Sequence, residues 1–209
     1  MDASDSDQQE ESHVNIEISV ALVIFVSTIA LSLAGLYAAP KIIESNLFRP
    51  YWIARKKRYD TWVTSGFVHA DLTHLIFNMV TFYFFGFSLE RWIGGVKFAL
   101  LYFIGLFVSH VGTYFKHRNN PEYASLGASG AISAVLFAAI VYNPGASLFI
   151  IPIPVPIPAP LFGVAYLAYS WYASKNSRGR INHDAHLGGA LAGLAFVAVT
   201  DPRAYAELL

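Results

Sequence analysis

The chain has no cysteine, few methionines and little charge. Its 209 residues include 14 Lys+Arg and 14 Asp+Glu, so 13% are charged, about half the ~25% of a soluble globular domain. The missing cysteine excludes disulfides, thiolate metal sites, iron–sulfur clusters and a cysteine nucleophile. A net charge of zero without a long basic tract gives no reason to invoke nucleic acid as a partner. Charge is absent altogether from 18–40, 72–89, 98–115, 123–174 and 185–200. Runs of this length are what a ~30 Å hydrocarbon layer selects, so the sequence reads as an all-α polytopic membrane protein.

Residues 1–17 carry Asp2, Asp5, Asp7, Glu10, Glu11 and Glu17 and read as a mobile acidic tail. They lack the basic start of a signal peptide, and the apolar run from Ile18 to Ala39 is 22 residues, long enough to span. The connection 41–71 mixes Lys41, Arg49, Arg55, Lys56, Lys57 and Arg58 with Tyr51, Trp52, Tyr59 and Trp62, which suits the headgroup layer. Asn143-Pro144-Gly145 breaks the longest charge-free stretch. The alternating prolines from Pro152 to Pro160 then predict an extended, polyproline-like path at an interface or against protein. The reading is a six-span domain over 18–200, with spans at about 18–39, 72–89, 96–115, 129–143, 161–174 and 185–200. A short tail, 201–209, follows.

Polar residues inside such spans are functional candidates by default. His74 and Asn78 stand at i and i+4 on one face of span two. Ser129 lies in Gly127-Ala128-Ser129-Gly130, and His186 in Ala185-His186-Leu187-Gly188-Gly189. Taken alone, a membrane serine is usually a packing or capping residue. Ala185, Gly189 and Gly193 form a small-residue stripe on span six, matched by Gly130 and Ala134 on span four, and such stripes let helices approach closely. These spans run the same way, so their packing would bring Ser129 and His186 together at one end. A serine hydroxyl needs a base to become a nucleophile, and histidine is suited to that task near neutral pH. Acyl transfer also needs donors for an oxyanion. His74, Asn78 and the Ser129 N–H at a helix start can supply them.

These residues also carry a resemblance. The stretch from Trp62 to Met79, with His69, His74 and Asn78, resembles the second-helix signature of rhomboid intramembrane serine proteases. Gly127-Ala128-Ser129-Gly130 resembles that family's nucleophile motif, and Ala185-His186-Leu187-Gly188-Gly189 its general-base motif. The resemblance implies a six-transmembrane-helix rhomboid-like bundle. It implies a Ser129–His186 dyad that cuts peptide bonds in or next to transmembrane helices of membrane-protein substrates, among membrane lipids and without a cofactor. It further implies an oxyanion hole of His74, Asn78 and the Ser129 amide, with Gly127 shaping the approach. Span five would be the lateral gate and the connection 175–184 the cap. Two positions depart from the pattern. Ser133 stands where some relatives place an aromatic against the histidine, so His186 must be held otherwise. Thr61 stands where arginine is frequent.

Asp184 reads as a helix cap or a third triad member, His183 as solvated, and His110 as a structural hydrogen-bonding residue. A metal reading would gather His69, His74, His183 and His186, but no His-Glu-x-x-His supports it, and no metal is expected. Rival functions are a catalytically silent membrane-protein binding or quality-control factor, and a small proton-coupled transporter using His74 and His186. The absence of a repeat between halves weakens the transporter. Arg91, Lys97 and Arg203 lie on one side of the six spans, and the other 11 of the 14 basic residues on the other. The positive-inside rule would put the active site in the cytoplasm. The family arrangement puts it outside, and that reading is adopted, with the chain in the plasma (inner) membrane.

Overall fold

The computed structural model describes residues 18–150, 153–176 and 181–208, so the acidic tail 1–17 lies outside the described residues. The described chain is mostly helical. Helix α1, Val20–Leu33, opens where Ser19 accepts from the Leu22 N–H at 3.1 Å. The distant Glu90 carboxylate accepts from the Val20 N–H at 2.6 Å. A negative group is favoured there by the unsatisfied amides and by the helix dipole. The helix continues as a wider π-type turn, Ala34–Ala38.

The connection that follows is not plain loop. It forms α2 (Lys41–Asn46), α3 (Pro50–Lys56) and α4 (Thr61–Thr64), then a 3₁₀ turn, Ser65–Phe67. Phe48, fully buried, pairs with Ser125 through two backbone hydrogen bonds of 2.9 and 3.0 Å. That bridge fastens the connection to the segment that precedes Ser129.

Helix α5, Leu72–Ile93, is capped by the Asp71 side chain and ends at Gly94, whose φ of +81° allows the reversal into α6, Gly95–His117. Helix α7, Ser129–Tyr142, is the centre of the molecule, with every residue from Gly130 to Val141 buried. Helices α5, α6 and α9 (His183–Thr200) pack around it. A Cβ on Gly189 would collide with the Gly130 carbonyl, and one on Gly193 with the Ala134 carbonyl. The small-residue stripes therefore meet backbone to backbone, as close helix packing requires. The outer faces keep large apolar residues exposed, among them Phe77, Phe84, Phe103 and Phe107. Among the described residues, three helices are long and apolar enough to cross a membrane: Val20–Ala38, Leu72–Ile93 and Gly95–His117.

Two expectations are corrected. The chain is not purely α: β1 (Ser147–Ile150) and β2 (Ile153–Pro158) pair antiparallel, with Leu148 opposite Ile157 and Ile150 opposite Ile153. Strand alternation explains how prolines fit, because Ile153, Val155 and Ile157 turn their N–H groups to one side while Pro154, Pro156 and Pro158 have none to offer on the other. The polyproline stretch is extended, but it is paired within its described part. Pro202–Glu207 is a 3₁₀ turn held to the bundle, since the Tyr205 hydroxyl donates to the Leu194 carbonyl at 2.7 Å. Helix α8, Ala159–Asn176, follows the hairpin and lies against α9.

Candidate active site

The starts of α5, α7 and α9 and the end of α6 meet at one end of the bundle. Gly127, just before α7, lies against the His74 ring on α5. Gly130 lies beside the Ala185 carbonyl on α9 and against Ser109 on α6. Asn182 caps α9 by accepting from the Ala185 N–H at 3.1 Å, and its amide donates to Thr113 Oγ1 of α6 at 2.9 Å. Ser129 and His186, each one residue from the Gly130–Ala185 contact, thus sit on facing first turns, both half-buried. Among the described residues neither side chain makes a hydrogen bond. A nucleophile and base that tighten only around substrate are compatible with that resting geometry.

The segment before Ser129 is fixed by its amides. The Gly127 N–H donates to the Ser65 carbonyl at 2.9 Å. The Ala128 N–H donates to His69 Nε2 at 3.3 Å. Because His69 Nε2 accepts, its proton lies on Nδ1, which reaches Ser32 Oγ at 3.0 Å. Burial, reinforced by the neighbouring His74, pushes the His69 pKa from 6.5 down to about 3, so the ring stays neutral. With both preceding amides engaged, Ser129, the first residue of α7, presents the first N–H of the run without a partner one turn back. Gly127 adopts φ +119°, and a Cβ there would stand 2.5 Å from His74 Cε1.

His74 follows the Asp71 cap, with its N–H donating to Asp71 Oδ1 at 2.8 Å. Asn78 is buried one turn later and spends one amide hydrogen on the His74 carbonyl at 2.9 Å, leaving the second for another acceptor. The His69 and His74 rings meet edge to face at 4.9 Å. Among the described residues, no group of three or more His, Asp or Glu side chains is arranged to hold a metal ion.

Two neighbours of His186 differ from expectation. Asp184 neither caps α9 nor faces the base: Lys116 Nζ lies 2.7 Å from its Oδ2. His183 is buried rather than solvated, edge-on to Tyr169 at 5.5 Å and to His186 at 6.0 Å. His110 is structural, bonding the Leu106 carbonyl at 2.7 Å and Ser65 Oγ at 3.1 Å. Thr61 is buried in the same region, its hydroxyl donating to the Arg58 carbonyl at 2.7 Å. Sequence reasoning missed Tyr166. Its ring lies near-parallel to His186, centroids 6.2 Å apart, and its hydroxyl bonds Ser133 Oγ at 2.9 Å. The unusual Ser133 was the available signal.

The family model described as Rhomboid domain matches residues 56–203, and the chain belongs to the rhomboid family. It is 30% identical over 165 residues to RHOMBOID-like protein 12, mitochondrial, of Arabidopsis thaliana, covering 70% of this chain and 48% of that protein. It is 33% identical over 153 residues to presenilin-associated rhomboid-like protein A, mitochondrial, of Danio rerio, covering 69% of this chain and 38% of the relative. The human presenilin-associated rhomboid-like protein, mitochondrial, is 35% identical over 144 residues, covering 64% of this chain and 36% of its own length. The chain therefore spans about half or less of these relatives. Their names carry a mitochondrial address, so the plasma-membrane expectation finds no support in them.

Proposed function

We propose that this chain is an intramembrane serine endopeptidase acting on transmembrane segments of other proteins. In this reading Ser129 Oγ attacks the scissile carbonyl while His186 accepts the hydroxyl proton. The Ser129 N–H, the free Asn78 amide hydrogen and the His74 side chain stabilise the developing oxyanion. His186 then passes its proton to the leaving amine, releasing one peptide. Water, deprotonated by the same imidazole, attacks the acyl-enzyme and frees the second peptide and Ser129. Helices α1, α5, α6, α7, α8 and α9 are the six crossings of the proposal.

The observation that carries it is the convergence of three helix starts, with Gly127 against His74 and Gly130 against Ala185. The length of α7 supports a site below the membrane surface. Its 14 residues make about 21 Å of helix against a ~30 Å core. Water would reach Ser129 through the polar end of the bundle. The active-site end also carries α3, where Arg55 lies 3.8 Å over the Tyr51 ring and Lys56 4.4 Å over Trp52. Such cation–aromatic pairs suit a helix lying on headgroups, and the proposal takes the extracytoplasmic side for this end from the family arrangement alone.

Cleavage of a single-span substrate in proteoliposomes tests the reading. Wild type should cut, and Ser129→Ala and His186→Ala should not. Undiminished cleavage by Ser129→Ala would refute the mechanism, and no cleavage by any form would favour a silent binding factor.

A further inference from the structure

A histidine acting as a base must hold its ring in one orientation. In serine triads a carboxylate does this through the second ring nitrogen. Here the nearest carboxylate in sequence, Asp184, is occupied by Lys116, and the His186 ring has no hydrogen-bond partner among the described residues. The ring is held by packing instead. One face meets Tyr166, near-parallel at 19°, and His183 meets it edge-on at 77°. Offset arrangements at these separations are favourable for aromatic rings.

Tyr166 is itself fixed. Phe137 of α7 and Phe162 of α8 flank its ring, with centroids 5.4 and 5.8 Å away. Its hydroxyl bonds Ser133, which is buried on α7 one turn after Ser129. Among the described residues this is the one side-chain to side-chain hydrogen bond that α8 makes to the rest of the bundle. Elsewhere α8 is held by the small buried residues Ala159, Gly163, Ser170 and Ala173 and by Lys116 Nζ, which donates to the Ser174 carbonyl at 2.6 Å, while Leu161, Val164, Tyr169, Trp171 and Tyr172 are all more than half exposed. The line Ser133–Tyr166–His186 thus runs from the nucleophile's helix, through α8, to the base.

We propose that Tyr166 is the positioning residue for His186 and that its bond to Ser133 makes the alignment of the base depend on α8 being seated against α7. Moving α8 outward breaks the bond and withdraws the ring, so the base loses its orientation while that side of the bundle is open. Reseating α8 restores it. The inference rests on the reading of His186 as the base.

The test uses the full chain in proteoliposomes, with a single-span substrate and a small fluorophosphonate probe. Tyr166→Leu should lower kcat by about 10²-fold, the cost of losing alignment. KM should stay within about twofold, and the labelling rate should fall in step with kcat. Tyr166→Phe and Ser133→Ala should each give a smaller and similar loss. The double variant should be no worse than either single one, because both remove the same bond. Folding is controlled by the retained activity of Tyr166→Phe. Wild-type labelling rates in Tyr166→Leu would overturn the positioning role while leaving the dyad intact. A change in KM alone would also overturn it, since the ring would then be contacting substrate. Absence of Ser129-dependent labelling in the wild type would instead remove the base on which the inference rests.

Discussion

Gly127 answers to two constraints at once. Its φ of +119° is strained for any side chain, and a Cβ would enter the space of the His74 ring 2.5 Å away. Gly127→Ala should therefore cut cleavage by about 10²-fold through displacement of His74, with the unfolding temperature moving by only a few degrees in a thermal scan. Gly127 stood out through the motif's resemblance, and Ser129, His186, His74 and Asn78 as polar residues in apolar runs. His69 was legible only as a flanking histidine. Its work depends on Ser32 and Ala128, which lie 37 and 59 residues away along the chain. Asp184 was misread for the same reason: Lys116, its partner, is 68 residues distant. The depressed His69 pKa has a testable sign. The unfolded chain binds a proton near 6.5, while the folded ring resists protonation down to about 3. Stability is therefore fully present above 6.5 and is lost as pH falls toward 3. His69→Gln, which keeps an acceptor without a titrating group, should show a shallower loss over that window in denaturation of the micelle-bound protein.

Between elements, the closest approach is that of α7 and α9, and it rests on the absence of side chains. Gly189→Ala sets a methyl against the Gly130 carbonyl and should destabilise by about 1–3 kcal/mol. On α6, Gly112→Ala meets only Asp184 Cβ at 4.0 Å and should be neutral or slightly stabilising in the same thermal measurement. The stripes were readable because their period is that of the helix. Helices α2 to α4 and the β1–β2 hairpin were not, because short elements are settled by what they dock on. Phe48 finds its place against the rings of His110 and Trp62, 4.2 and 5.2 Å away. Ionic capping also joins elements. Glu90→Ala removes the acceptor for the Val20 N–H and should cost about 1–2 kcal/mol by loosening the start of α1.

At the scale of the whole molecule, the absence of cysteine becomes an experimental asset, since any single introduced thiol is the only one. In the six-crossing proposal α7, α8 and α9 separate Arg118 from Arg203. Arg118→Cys and Lys57→Cys should react with a membrane-impermeant maleimide from one side, and Arg91→Cys and Arg203→Cys from the other. Labelling of Arg118→Cys and Arg203→Cys from the same side would contradict six crossings. The family match and the relatives establish the rhomboid family, and the structure a mostly helical bundle, whereas the proposed chemistry hangs on Ser129 and its base. The most direct measurement is fluorophosphonate labelling of the reconstituted chain, with the modified residue mapped by mass spectrometry. One adduct is expected, on Ser129, and it should disappear in His186→Ala. An adduct on another serine, or labelling undiminished by Ser129→Ala, would contradict the proposed chemistry.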